Sequence, residues 1–521
     1  MAKERAFPAL SRRRFLRASF ALAAASFFAP LPLAARSRPK FSGYPFTLGV
    51  ASGSPWDTGV VLWTRLAPDP LNGGGVGKEA IEVQWEIARD AGFRSVARKG
   101  VGIAAADRAH AVHIDVEGLE PGRGYFYRFM AGDEASPVGR TRTAPSPGKG
   151  DERLRFAVAS CQQYEQGWYG AYRHMLADEP DLVVFLGDYI YESSWGRDHV
   201  RKHASPEPYA LDDYRNRYAQ YKSDEDLKRM HAAAPWLYTW DDHEVDNDYA
   251  GDRGEDLLPN FLERRAAAYR ACFEHLPLRR AMLPAGPDMR LHERYKWGGL
   301  AQFDVLDDRQ YRSHQVCPKA DRGGSNSVGT SCTARLDPAL TMLGAGQEKW
   351  LADGLAASTA RWNVIAQQTL MAQAGRGKDD ALYWTDGWDG YPAARKRLLE
   401  SVSASKARNP VVLGGDVHAT FVADLRLDFD RPDTPVVATE FCGTSITSQG
   451  PDAKRVAQML ERNPHIHFAN GSKRGYLLMD VTAQRMETKL RAMETVKRHD
   501  AGIETLASWI VEDGKAGAKA A

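Results

Sequence analysis

Cysteine is scarce, with five in 521 residues, too few for a disulfide-built scaffold. Beyond the leader, no apolar run reaches the ~18 residues of a membrane-spanning helix. Neither charge is in excess: 69 Lys and Arg face 67 Asp and Glu, a net of +2. No global basic field therefore points to nucleic acid. No short-period repeat is present, and the one biased stretch is the Lys/Ala/Gly tail after Asp513. What remains is ordinary globular composition, 43% hydrophobic and 26% charged, which excludes a disordered or fibrous chain. Thirteen Trp, 20 Tyr and 19 Phe supply large core side chains. At about 150 residues per domain, the length implies several domains.

The leader carries the positive charge. Lys3, Arg5, Arg12, Arg13, Arg14 and Arg17 face Glu4 alone, so removing residues 1–35 leaves a chain with an acidic excess. Ser11-Arg12-Arg13-Arg14-Phe15-Leu16-Arg17 resembles a twin-arginine signal, followed by an apolar stretch from Ala18 to Ala29 and small residues at Ala34-Ala35. That stretch is too short to span a bilayer about 30 Å thick. The expectation is a cleaved signal over 1–35 read by the twin-arginine export machinery. The mature protein is then periplasmic or secreted, with no stable membrane insertion. This route carries folded proteins, often with a cofactor already loaded, which hints at a metal. In an oxidising compartment, Cys317 and Cys332 read as a loop-stapling disulfide worth roughly 3 kcal/mol, against the alternative of two free thiols. Cys161, Cys272 and Cys442 are an odd remainder, so at least one needs another explanation.

Residues 44–145 read as short strands separated by turns, including Val60–Thr64, Val83–Ile87, Val112–Val116 and Tyr125–Phe129. Strands at this spacing without a helical period predict a β-sandwich. Its end, Gly118 to Thr141, looks like that of a fibronectin-III-type domain, and Ala144 to Gly150 reads as a linker. From Leu154 the pattern becomes α/β over 151–500. Four apolar strands finish in polar residues: Leu154–Ala159 at Ser160-Cys161, Leu182–Leu186 at Gly187-Asp188, Trp236–Trp240 at Asp241-Asp242-His243, and Val411–Leu413 at Gly414-Gly415-Asp416. Helical stretches such as Leu262–Phe273 and Glu348–Ala357 lie between. In α/β folds, ligands sit at the carboxyl ends of strands. For 501–521, Ile503, Leu506, Trp509 and Ile510 share one face of a helix, predicting a C-terminal helix and a flexible tail.

Each strand end has a functional and a plain reading. Gly187-Asp188-Tyr189-Ile190-Tyr191-Glu192 presents a carboxylate that could bridge two cations, with Tyr191 three residues on; alone it is equally an Asp capping a turn. Asp241-Asp242-His243-Glu244, followed by Asp246, Asn247 and Asp248, suits hard cations or a solvated acidic loop. In Asp416-Val417-His418, residues i and i+2 of an extended segment reach one site; an ordinary strand-end turn is the alternative.

Together, the order of these motifs resembles the calcineurin-like metallophosphatases. The variants are similar to those of the alkaline phosphatase D (PhoD-like) family: Ser160-Cys161-Gln162, Trp240 to Glu244, and Gly415-Asp416-Val417-His418. The likeness extends to Asp308-Arg309-Gln310-Tyr311-Arg312, Ala366 to Thr369, Trp388-Asp389-Gly390-Tyr391-Pro392 and Arg474-Gly475-Tyr476, covering nearly all of the mature chain. The resemblance implies an α/β catalytic domain of two packed β-sheets flanked by helices, preceded by the all-β fibronectin-III-like sandwich. It implies Fe(3+) held by Cys161, Asp188, Tyr191 and His418. It also implies Ca(2+) bridged by Asp188 and held by Asp242 and Asp416, with Asn247 as an addition and the choice between Asp241 and Asp242 open. His243 is implied in transition-state stabilisation or proton donation. The implied reaction is hydrolysis of phosphate monoesters or diesters by a metal-activated water. Its partners are small phosphate esters or phospholipid and polymer phosphodiesters. Alternatives are a phospholipase D-like phosphodiesterase and a polymer- or cell-wall-binding protein with a vestigial site.

Overall fold

A computed structural model describes residues 39–148, 153–377 and 380–521. The signal expected over 1–35 and the end of the linker, Lys149-Gly150, lie outside the described residues. The strand Leu182–Leu186, LVVFL, is buried along its whole length, as an apolar strand covered on both faces must be. It pairs in parallel with Leu154–Ala159 and Pro235–Thr239. These three are the middle of a ten-stranded sheet. A second, seven-stranded sheet has Ala301–Val305, Trp362–Ala366, Pro410–Gly414 and Val436–Cys442 as parallel neighbours. Phe156, Val184 and Met479 of the first sheet meet Phe303, Val364, Leu413 and Phe441 of the second in one buried core.

Helices cover the two outer faces. Gly170–Ala177, Leu211–Lys222, Glu225–Ala233 and Phe261–His275 bury against the first sheet. Gly344–Ala356 and Pro392–Ser405 bury against the second. The expected helices over Leu262–Phe273 and Glu348–Ala357 fall on two of these. The result is an α/β fold of two facing sheets with helices outside. Among the described residues, no helix is long and apolar enough to cross a membrane.

Two expectations need correction. The strands of 44–145 do form two layers over a buried core, but only one layer is self-contained: the five-stranded sheet built on Ile81–Ala88, Val96–Ala104 and Gly124–Ala131. The other layer, Val50–Trp56, Gly59–Arg65 and Ala111–Glu117, continues the ten-stranded sheet through parallel pairing of Ser52 with Pro235 and Gly53 with Trp236. Gly53 permits that junction, since a Cβ there would lie 2.6 Å from the Pro277 carbonyl oxygen and 2.8 Å from that of Trp236. Phe41–Ala521 is accordingly one compact unit.

The second correction concerns the C-terminus. Ile503–Glu512 is a strand, antiparallel to Arg485–Met493, and Lys519–Ala520 adds a final short strand beside it. Leu506 and Trp509 pack on the core between the sheets. A neighbouring strand that completes the backbone hydrogen bonds outweighs a helical spacing of four apolar side chains. The disulfide joins Cys317 to Cys332, and the three other cysteines are free and buried.

Candidate active site

The strand ends converge through one carboxylate. Glu244 accepts the backbone N–H groups of Asp188 at 3.1 Å, Tyr189 at 2.6 Å and Asp241 at 2.9 Å, and the Tyr238 hydroxyl at 3.0 Å. It thereby ties the turn after Leu182–Leu186 to the turn after Pro235–Thr239. Gly187 makes that approach feasible: its φ is +96°, and a Cβ would sit 2.5 Å from the Asp241 nitrogen. Cys161, Asp188, Asp416 and His418 all take left-handed φ values, 57°, 57°, 61° and 53°. Such positions cost about 1–3 kcal/mol each and cluster at functional sites. Asp416 and His418 therefore share a tight turn, not the extended segment expected from their spacing.

The structure gathers the candidate residues into overlapping groups. Ligand-capable atoms of Cys161, Asp188 and His418 lie within 4.8 Å of one another, as do those of Asp188, Asp242 and His243, and those of Asp242, Asp248 and Asp386. Tyr191 joins the first group by donating to Asp188 Oδ2 at 2.6 Å and lying 3.1 Å from His418 Nε2. Ser448 Oγ donates to the Tyr191 oxygen at 2.8 Å. His418 Nδ1 is 3.0 Å from the Gln449 carbonyl, which can only accept, so the proton sits on Nδ1 and Nε2 turns its lone pair to the site. Trp195 stacks on that ring at 5.5 Å and 9°. Burial, then the Arg474 and His243 cations, lower the His418 pKa to about 3. Burial, then the Asp188 charge, push the Cys161 thiol up.

The acidic side is held by arginines. Arg309 donates from Nε to Asp241 and from Nη1 to Asp386 at 2.7 Å, and its Nη2 lies 3.9 Å from both Asp242 and Asp416. Arg312 also pairs with Asp386. Asp241 gives Oδ1 to Arg309 and keeps Oδ2 buried without a hydrogen-bond partner, whereas Asp242 belongs to two of the groups. Asp242 accepts the N–H of His243 at 2.8 Å and of Asp248 at 2.7 Å. Burial raises the Asp242 pKa, but Arg309 and His243 overcome it and the net shift is downward. Burial raises Asp188, Asp248 and Asp416 well above the usual carboxylate range, with neighbouring carboxylates adding to it. Asp188 Oδ1 and Asp416 Oδ2 are buried without a hydrogen-bond partner. Asn247 lines the same cleft, and its side-chain nitrogen donates to Glu255 at 3.0 Å and Ser325 at 3.3 Å.

His243 packs 4.1 Å from the Tyr191 ring, and its Nδ1 is 2.7 Å from Glu192 Oε2. Burial lowers its pKa, but Glu192, Asp242 and Asp188 together raise it well above the ordinary value. Sequence reasoning gave Glu244 and Asp248 only a place in a cation-suited cluster and gave no role to Glu192, Arg309 or Asp386. Glu192 and Arg309 stand inside quoted motifs, but Asp386 carries no local signal. The groups open into a cleft of about 750 Å³. Among the described residues, none of 501–521 lines it.

A family model described as PhoD-like phosphatase matches residues 156–490, and one for the PhoD-like phosphatase N-terminal domain matches 33–145. Alkaline phosphatase D of Bacillus subtilis (strain 168) is 48% identical over 493 residues, covering 92% of this chain and 83% of the relative. A solved structure described as PhoD superposes with a TM-score of 0.88 at 47% identity, covering 92% of this chain and 93% of the other. With the two models spanning both the front layers and the facing sheets, the chain belongs to the PhoD-like phosphatases and is a phosphoric ester hydrolase.

Proposed function

We propose that the protein is exported by the twin-arginine route and works in the periplasm or outside the cell as an iron- and calcium-dependent phosphoesterase on phosphate monoesters and diesters. We read its facing sheets as a calcineurin-like metallophosphatase fold and its front layers as fibronectin-III-like. The observation that carries the metal assignment is the donor set: a thiol, a phenol, an imidazole and a carboxylate converge beside buried carboxylate oxygens that have no hydrogen-bond partner. Burying so many acids is unfavourable unless positive charge joins them. In this reading Cys161, Asp188, Tyr191 and His418 would hold Fe(3+). Asp188, Asp242 and Asp416, with the neighbouring Asp248 and Asp386, would offer oxygens to calcium. Asn247 is a weaker candidate.

When bound, the cations supply charge neutralisation for phosphoryl oxygens and a lowered pKa for water. His243 holds a proton on the cleft wall, stabilised by Glu192, and delivers it to the departing oxygen. Leu370, Trp388 and Phe421 line the cleft and exclude water from one side of the substrate. That apolar wall also favours diesters with apolar substituents, phospholipids among them. For a polymer-binding role of 44–145, an exposed aromatic patch would be the discriminating feature. Among the described residues there, Tyr44 is the one aromatic in the exposed large apolar set.

Purified protein should contain iron and calcium. Chelating calcium should stop p-nitrophenyl phosphate turnover, and calcium should restore it. Full activity of iron-free protein on zinc alone would overturn the assignment.

A further inference from the structure

The cleft is acidic at the strand ends, but two arginines stand in its wall without a direct ion pair among the described residues. Arg322, Arg376 and Arg455 all line it. Arg322 is paired with Glu255. Among the described residues, neither Arg376 nor Arg455 has a carboxylate partner. Asp452, the acid nearest Arg455 in sequence, accepts the Arg455 backbone N–H at 2.7 Å as a helix cap.

Both walls run from the acidic centre to these arginines. On one side, the Gly415 N–H donates to the Gln368 carbonyl at 2.7 Å, anchoring the chain beside Asp416. From there Leu370, Ala372, Ala374 and Arg376 line the cleft at every second position, as an extended strap does. From Thr369 to Arg376 such a strap spans at most about 25 Å. On the other side, Gln449 accepts from His418, and the chain passes Gly450 and Pro451 into the helix Ala453–Arg462. Arg455 and Met459, one turn apart, face the cleft from that helix.

The walls meet where the arginines stand. Asn463 donates to the Gly375 carbonyl at 2.8 Å and Arg462 to that of Gly377 at 3.0 Å, on either side of Arg376. Arg376 is further steadied by Ser327 Oγ at 2.7 Å. Burial, and then the Arg376 cation, lower the Arg455 pKa, and the Asp452 charge only partly offsets them. Two guanidiniums lining one cleft where its walls are tied together are an arrangement that a bound anion relieves.

We propose that Arg376 and Arg455 form a second anion subsite, so that the cleft prefers phosphoesters bearing another phosphate or carboxylate beyond a spacer. This rests on reading the carboxylate end as the place where the ester is cut.

The test uses the metal-loaded full chain. Dissociation constants are measured by calorimetry for uncleavable alkane-α,ω-bisphosphonates from propane to octane, the matching alkyl monophosphonates and the matching ω-carboxyalkyl phosphonates. At least one two-anion compound should bind roughly tenfold more tightly than its singly anionic partner. In Arg376→Ala/Arg455→Ala that ratio should collapse to about one, and the double Lys variant should keep part of it. Taking the ratio within each variant cancels differences in folded protein. Equal tightening by carboxylate and phosphonate marks a general anion site, and tightening by phosphonate alone marks a phosphate site; both support the subsite. No preference at any length, or an undiminished ratio in the double Ala variant, overturns it. Turnover of p-nitrophenyl phosphate, measured separately, reports on the cutting site alone.

Discussion

The donors around Cys161 and those around Asp386 open into one cleft but are held by different forces. Cys161, Asp188 and His418 are fixed by left-handed backbone at strand ends, with Tyr191, Ser448 and Trp195 packed against them. Asp242 and Asp248 share one loop, and Asp386, from a distant segment, is held beside them through Arg309, Arg312 and Gln315. Covalent geometry sets the first half, and charge balance sets the second. The first half should therefore tolerate a lost charge better than a lost turn. The second should fall apart when its cations go, unless a metal replaces them.

Asp188 belongs to the first half and also groups with Asp242 of the second, so changing it should have the largest effect. A neutral amide keeps the shape of Asp188 but cannot hold two cations. Asp188→Asn should lower turnover by roughly a thousandfold and reduce both iron and calcium, read by elemental analysis. Full occupancy of either metal in this variant would show that the halves do not share it.

Arg309→Met separates them. The guanidinium is buried between Asp241, Asp386, Asp242 and Asp416. Removing one partner of a buried ionic network costs about 3–5 kcal/mol. Thermal melts of metal-free protein should show that loss, and calcium should recover part of it. A melt that calcium leaves unchanged would mean that the cation does not substitute for the arginine.

The same contrast explains what could be read from the chain. Cys161, Asp188, Tyr191, Asp242 and His418 each follow an apolar strand, so a local pattern marks them. Asp386 lies far from the other acids in sequence and meets them through Arg309, Arg312 and Gln315, pairings no local window contains. Glu192 stood beside Tyr191, but its role required knowing that His243 folds against it. The strand Ile503–Glu512 was misread for a related reason. Its apolar residues fit a helical spacing, while its hydrogen-bonding partner, Arg485–Met493, had to be known to reveal a strand. The front layers were legible as β-structure, but the junction at Gly53 depends on contact with Trp236 and Pro277, which only the fold supplies.

The disulfide loop leans on the acidic half alone. Between Cys317 and Cys332, Ser325 donates to Asp248 and Arg322 pairs with Glu255. Replacing both cysteines with Ser should cost about 3 kcal/mol for a loop of this length. Calcium titrations of activity should shift to higher concentration while iron content holds. Equal loss of iron and calcium would show that the loop supports the whole centre.

The smallest effect should come from two tyrosines two positions apart. Tyr191 reaches Asp188 and His418 through its hydroxyl, whereas the Tyr189 hydroxyl is 2.8 Å from His231 Nε2 and its ring stacks on Tyr218 in the core beneath. If the backbone-set half holds ferric iron, the Tyr191 phenolate produces a visible charge-transfer band, and zinc or calcium alone produces none. Tyr191→Phe should abolish or shift the band. Tyr189→Phe should leave it in place and cost only about 1 kcal/mol, the net worth of one buried hydrogen bond. Absorption spectra of the two variants at equal iron content, with a melt of each, decide the matter. A band that follows Tyr189, or a colourless wild-type protein with full iron, would put the wrong oxygen on the metal and remove the distinction between the two halves at its most specific point.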